Sequence, residues 1–149
     1  MRFWDSSAVV PLIAVQPTSA TVSGLLREYS EIAVWWGTWI ECAVAISRIR
    51  REGSLDEEGQ EEARSVLDLI AETWTEIPPT DDIPLLAALV SKQHPLKAAD
   101  ALQLAAALSW CEGVTSSTGF VCCLDGRLRR AASWEGFRVL PRPSEEGTG

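Results

Sequence analysis

The sequence is poor in several residue types and patterns that would each point to a particular class of protein. It has one histidine and four cysteines in 149 residues, and no CxxC pair, so neither a zinc site nor a disulfide framework is expected. A single histidine, His94, gives little support to Ser-His-Asp or Cys-His catalysis, and we expect it at the surface or at a helix cap. The sequence lacks the run of about 18 apolar residues that a membrane helix needs. Asp5 interrupts the apolar run of a signal peptide, so we expect a cytoplasmic protein with no membrane partner.

Basic residues are also outnumbered. The 13 Lys and Arg against 21 Asp and Glu give a formal net charge of −8, so the totals do not indicate a nucleic-acid binder. The acids are unevenly placed, however, because residues 52–82 hold eleven acids and one arginine, a net charge of −10. The rest of the chain has ten acids and twelve bases and is slightly basic. We expect the acidic segment, a helix with a Ser54 and Glu57 capping box, to lie away from the substrate path.

Length and hydrophobic pattern predict one α/β domain. Apolar strands are predicted at 3–4, 31–36, 73–77, 120–124 and 137–140, with helices between them. Strands that alternate with helices form right-handed βαβ crossovers, so the pattern predicts a central, mostly parallel sheet of four or five strands covered on both faces. Residues 1–141 are expected to form this single domain, and residues 142–149 a flexible tail rich in Pro, Glu and Gly.

Two acids directly follow predicted strands. Asp5 comes after the first strand and Asp125 after the fourth. In a parallel α/β sheet, ligands bind at the carboxyl ends of the strands, so both side chains are expected on the same edge. Each is equally well interpreted as a helix N-cap, a position that favours Asp.

Two other acids lie in helices that are apolar on nearly every face. Glu41 is in WIECAVAIS and Asp100 is in AADALQLAAAL. A buried carboxylate needs a partner, for which an arginine ion pair is the simplest choice. For four carboxylates at one edge of a sheet, a bound divalent metal resolves their mutual repulsion, and all-oxygen ligands favour Mg²⁺ or Mn²⁺. Such a site suits hydrolysis of a phosphodiester by metal-activated water, with one or two ions.

Arginines in two parts of the chain are candidates for phosphate contacts. Arg48 lies two turns along the helix face that carries Glu41, and Arg127 follows Asp125 closely, as do Arg129 and Arg130. Ordinary surface arginines explain them equally well.

Taken together, DSSA near the start, Glu41 in WIECAVAISR, LKAADALQLAAAL, and CLDGRLRRAA followed by GFRVL make the chain resemble a PIN-domain ribonuclease of the VapC toxin type. The match spans nearly the whole chain. The resemblance implies a PIN-like three-layer α/β/α sandwich in which four acids form the Mg²⁺-binding catalytic cluster: Asp5, Glu41, Asp100 and Asp125.

The resemblance also implies a substrate and partners. It implies cleavage of RNA, commonly tRNA or ribosomal RNA, inhibition by a cognate VapB-like antitoxin, and a homodimer. Ser6 matches a hydroxyl common at that position, where it would assist a ligand or bind phosphate. A residue near the fourth acid also faces the site, and strand alternation leaves open whether it is Cys122 or Cys123. The apolar residues 9–13 and the tryptophans leave room for an interface, although Trp35, Trp36 and Trp39 are slightly better explained as core.

The sequence is also compatible with two other hypotheses about fold and function. A catalytically inactive PIN-like protein that binds RNA or another protein would keep the fold without the chemistry. A receiver or flavodoxin-like domain shares the alternating order of elements. It would need an acid pair after the first strand and a lysine after the last, whereas Asp5 stands alone and Pro141 follows the last strand. No GxxxxGK[ST] phosphate loop is present.

Overall fold

The computed structural model describes residues 1–112 and 119–143, in which five strands alternate with seven helices. The strands are β1 (Arg2–Trp4), β2 (Ile32–Trp35), β3 (Thr75–Ile77), β4 (Phe120–Cys122) and β5 (Arg138–Leu140). The helices are α1 (Ser6–Ile13), α2 (Ser19–Glu28), α3 (Thr38–Arg51), α4 (Glu57–Ala71), α5 (Asp82–Ser91), α6 (Ala98–Glu112) and α7 (Gly126–Trp134). Of the predicted tail, residues 144–149 lie outside the described residues.

The strands form one sheet in the order β3-β2-β1-β4-β5, and every described pair is parallel. Parallel neighbours require crossover connections, which the helices provide on both faces. The predicted three-layer α/β/α sandwich with a five-stranded parallel sheet is therefore confirmed, and it is consistent with a PIN-like fold. None of the helices in residues 1–112 and 119–143 is long and apolar enough to cross a membrane.

The two faces of the sheet bury different side chains because successive strand residues point to opposite sides. Trp4 and Cys122 belong to a core built with α1, α2, α3 and α4. Phe3 and Val121 belong to a second core built with α5, α6 and α7. This alternation settles the register at the end of β4, since Cys122 packs in the first core and Cys123 in the second.

Several local predictions are wrong. Asp56, and not Ser54, caps α4, with its Oδ1 accepting from the Gly59 N–H at 2.7 Å. His94 is buried, and its Nε2 lies 2.8 Å from Glu135 Oε1, a residue far along the chain that the local sequence could not indicate.

Two expectations about apolar residues also fail. Trp36 is 54% exposed and is not core, since it follows the end of β2 and packs edge-on against Trp35. The apolar stretch after Asp5 is not available as an interface, because Val9, Val10 and Ile13 are buried in the first core.

Candidate functional site

All four predicted acids line one cavity at the carboxyl edge of the sheet. Its volume is about 630 Å³. Each acid comes from a different element, and the fold places all of them at this edge: Asp5 joins β1 to α1, Glu41 and Asp100 lie in the first turns of α3 and α6, and Asp125 precedes α7. The sheet topology thus brings together residues that are 120 positions apart in the chain.

Asp5 is the most enclosed of the four, with 2% of its surface exposed. It does cap α1, as its Oδ2 accepts from the Ser7 N–H at 3.1 Å and also from Ser7 Oγ. Cys123 Sγ lies 3.6 Å from the same oxygen. Burial raises the pKa of Asp5, and these hydrogen bonds only partly oppose that effect. Its other oxygen, Oδ1, is buried without a hydrogen-bond partner among the described residues.

Glu41 is partly buried and is held by an amide. Gln103 Nε2 donates to Glu41 Oε2 at 2.6 Å and lies 3.0 Å from Thr38 Oγ1. The pKa of Glu41 is raised from 4.5 to about 7: burial raises it most, the Gln103 hydrogen bond lowers it, and the negative charges of Asp5 and Asp100 also raise it. Glu41 therefore exchanges a proton close to neutral pH.

Asp100 and Asp125 complete the rim. Burial raises the pKa of Asp100, the charges of Asp5 and Asp125 add to this effect, and Lys97 opposes it. Asp125 occupies the N-cap position of α7, yet its side chain makes no capping hydrogen bond. The N-cap interpretation therefore accounts for Asp5 but not for the Asp125 carboxylate.

The arginine alternative finds no support within residues 1–112 and 119–143, where no Lys or Arg forms an ion pair with any of the four carboxylates. The same described residues contain no ready-made group of three or more His, Cys, Asp or Glu side chains that holds a metal. The chemistry of the donors nevertheless fits Mg²⁺ or Mn²⁺. All are carboxylate oxygens, they repel one another, and Asp5 Oδ1 is buried without a partner.

Two residues of the site were missed in the sequence. Ser7 binds Asp5 Oδ2, and its Oγ accepts from the Leu124 N–H at 2.9 Å, which ties the end of β4 to the first acid. Gln103, which binds Glu41, lies one turn after Asp100 on α6. This spacing places both side chains on one face of the helix, and it is the sequence feature that could have indicated Gln103 as a site residue. Cys123 is the cysteine beside the site.

The predicted phosphate-binding residues separate into two places. Ser6 and Arg48 line the acidic cavity, and Arg48 Nε is 3.8 Å from Glu52 Oε1 in an exposed pair. Arg127 is not among the residues that line this cavity, but faces a groove beside it. Arg129 binds the carbonyls of Cys123 and Pro141 at 2.8 and 2.7 Å, so this guanidinium has a structural contact.

The acidic helix α4 contributes none of the described residues that line the cavity. It packs beside α3, with Ala63 and Leu67 in the first core and its carboxylates outward. The prediction that this negative charge lies apart from the acidic cavity agrees with this placement.

The fold is shared with solved structures at low sequence identity. A toxin-antitoxin complex from Klebsiella pneumoniae matches with a TM-score of 0.64 and 15% identity, covering 95% of this chain and 97% of that chain. FitAcB from Neisseria gonorrhoeae matches at 0.63 and 16%, covering 95% and 97%. PAE2754 from Pyrobaculum aerophilum matches at 0.62 and 19%, covering 93% and 83%. No protein-family profile and no curated protein sequence matches. At these identities the likeness shows a common fold.

Proposed function

We propose that this protein is a Mg²⁺-dependent endoribonuclease toxin of the VapC type, which hydrolyses phosphodiester bonds of RNA such as tRNA or ribosomal RNA. The observation that carries the proposal is the convergence of four carboxylates from four elements on one cavity, without any cation paired to them in the described part of the chain. An arrangement that leaves like charges together is destabilising unless a cation joins them. Structural neighbours that are toxin-antitoxin components agree with this assignment.

Asp5, Glu41, Asp100 and Asp125 would hold the cation. When bound, Mg²⁺ or Mn²⁺ would polarise the scissile phosphate and make a water molecule more acidic. The chain itself prepares the ligands. Ser7 and Cys123 fix Oδ2 of Asp5, so the unpartnered Oδ1 is the oxygen available to a ligand.

Three side chains of the cavity would act on the substrate. Glu41 is held through Oε2 by Gln103 and lines the cavity, so its carboxylate would accept a proton from the attacking water. Arg48 and Ser6 line the same cavity and supply a guanidinium and a hydroxyl to phosphate oxygens. The Arg48–Glu52 ion pair is exposed and contributes little free energy, so Arg48 can release Glu52 and bind a phosphate instead.

The proposed partner is a protein antitoxin. In the family that the sequence resembles, this antitoxin is VapB-like. The neighbour from Klebsiella pneumoniae is described as a toxin-antitoxin complex. On this chain, Ile40 and Val44 line the acidic cavity and are 53% and 57% exposed, one turn apart on α3. An antitoxin segment that covers these side chains would block the cavity and bury apolar surface in one step. The homodimer stays a prediction.

One observation favours a second candidate, an inactive PIN-like protein that binds RNA or another protein. In the side-chain positions described for residues 1–112 and 119–143, no three potential ligands form a metal group. Calorimetric titration with Mg²⁺ and Mn²⁺ separates the candidates. The nuclease binds at least one ion in a manner that Asp5→Asn abolishes, whereas the inactive protein shows no such binding.

The proposal is tested by incubating the purified protein with total RNA and Mg²⁺. We expect discrete cleavage that EDTA abolishes and that Asp100→Asn reduces at least about 100-fold, the scale of an electrostatic catalytic group. Glu62→Gln, an exposed acid on α4 outside the cavity, is the matched control and should cleave normally. Equal cleavage by the Asp100→Asn variant refutes the proposal.

A further inference from the structure

A second groove lies beside the acidic cavity, along α7. Its volume is about 280 Å³, and its walls include Arg127, Arg130 and Trp134 on one side and His94 and Pro95 on the other. The three α7 residues are spaced at i, i+3 and i+7, so they form a stripe along one face of the helix. Two guanidinium groups can bind anionic groups of a ligand, and an indole can stack on a planar group, so the groove suits an anionic chain that carries planar groups.

The side chains in this stripe face solvent. Trp134 is 79% exposed, more than any other aromatic residue of the described chain, and Arg127 and Arg130 are exposed as well. Within residues 1–112 and 119–143, no carboxylate forms an ion pair with either arginine. Exposed aromatic rings next to unpaired cations are how proteins bind single-stranded nucleic acid, by stacking on bases and contacting phosphates.

The groove is locally basic in a chain that is acidic overall. The described residues that line it include Arg127 and Arg130 and no Asp or Glu, against a net charge of −8 for the whole protein, and Glu135 beside it is bound to His94. A local excess of positive charge is the electrostatic footprint of a nucleic-acid contact.

Both walls are connected along the chain to acids of the cavity. Arg127 follows Asp125 by two residues, and α7 then extends for about 13 Å, the length of nine helical residues, to Trp134. On the other wall, His94 is anchored beyond the end of α7 by Glu135, at 2.8 Å, and the chain leads from there to Asp100 in the first turn of α6. The groove residue Arg127 is thus two positions from Asp125, which lines the acidic cavity.

We propose that this groove binds a single-stranded stretch of the RNA substrate next to the scissile phosphate, with Trp134 stacked on a base and Arg127 and Arg130 bound to phosphates. The inference rests on the proposed function for the identity of the substrate, but binding is measurable without cleavage. An acidic peptide would pair with the two arginines yet leave the indole without a planar partner, so the observations favour RNA.

The test measures fluorescence anisotropy of a fluorescein-labelled oligouridylate of about ten nucleotides, with the full chain in EDTA so that no cleavage intervenes. We expect Trp134→Ala to raise the Kd about tenfold, as loss of one stacked base predicts. An Arg127→Gln, Arg130→Gln double variant should lower the slope of log Kd against log salt by about 1.4, or about 0.7 for each lost phosphate contact. Arg51→Gln, an exposed arginine at the end of α3, is the control and should leave the Kd unchanged.

The outcomes separate this inference from the proposed nuclease activity. A Kd and a salt slope that are unchanged in the α7 variants overturn the inference, even where the acids cleave RNA as proposed. Trp134-dependent binding supports it, even where no cleavage is found. Displacement of the RNA by an oligoglutamate peptide at lower concentration than by unlabelled RNA overturns it in favour of an acidic protein partner.

Discussion

Replacing Glu41 by glutamine should stabilise the metal-free protein above pH 4.5, although Glu41 is a proposed ligand. Burial and the charges of Asp5 and Asp100 raise the pKa of Glu41 from 4.5 to about 7. Because the folded protein holds this proton more tightly than the unfolded chain, stability falls as the pH rises through that window. Glutamine has a similar shape, and its carbonyl oxygen can still accept from Gln103, so the substitution removes the charge and little else.

The magnitude follows from the pKa shift. Taken in full, the shift from 4.5 to about 7 corresponds to about 3 kcal/mol. Glu41 is only partly buried, so solvent screening reduces the expected gain to about 1–2 kcal/mol. For a chain of this length, that gain raises the Tm by about 2–8 °C. The gain should be absent below pH 4.5, where Glu41 is protonated in both states, and constant above about pH 7.

The assay is urea unfolding in EDTA of the natural protein and the Glu41→Gln variant at pH values on both sides of this window. Glu62→Gln, exposed on α4, is the control and should change the free energy of unfolding by less than about 0.5 kcal/mol at every pH. A Glu41→Gln variant that is no more stable than the natural protein above pH 7 refutes the inference that crowded carboxylates destabilise the metal-free site.

Three further predictions concern the residues around this acid. Mg²⁺ should raise the Tm of the natural protein, since it binds only the folded site, and this shift should vanish in Asp5→Asn, as differential scanning fluorimetry would show. Ser7→Ala should lower the free energy of unfolding by about 1–3 kcal/mol in urea, because both Asp5 and the Leu124 N–H lose a buried partner; an unchanged midpoint would contradict the contact. Gly37→Ala should lower the free energy of unfolding by about 1–3 kcal/mol, and with it the Tm, because a Cβ there would lie 2.6 Å from Trp35 Nε1. A Tm higher than that of the natural protein would show that the indole moves without destabilising the fold.

The fold was predictable because its elements follow local rules. Short apolar strands alternate with helices, and parallel strands with helical crossovers admit few arrangements, so the three-layer sandwich follows from the pattern. The placement of two acids at the carboxyl edge was predictable for the same reason, because Asp5 directly follows β1 and Asp125 lies in the connection from β4 to α7. Glu41 and Asp100 stood out as carboxylates in apolar helices.

The features that could not be predicted from the sequence depend on contacts between distant segments of the chain. Ser7 gains its role from Leu124, which is 117 residues away, and no local pattern indicates that pairing. His94 is buried by Glu135, 41 residues later. Arg127 is close to Asp125 in sequence, but its side chain lines the neighbouring groove and not the cavity.

The central claim is that the four carboxylates form a metal-dependent site for hydrolysis of RNA by water. The most direct measurement is the chemistry of the RNA ends left after incubation with Mg²⁺, for the natural protein and the Asp100→Asn variant. Attack by water leaves the neighbouring 2′-hydroxyl unused, so the account predicts linear phosphomonoester and hydroxyl ends, with no cyclic phosphate, that disappear with EDTA and in Asp100→Asn. Cyclic 2′,3′-phosphate ends, or cleavage that persists in the Asp100→Asn variant, would contradict it.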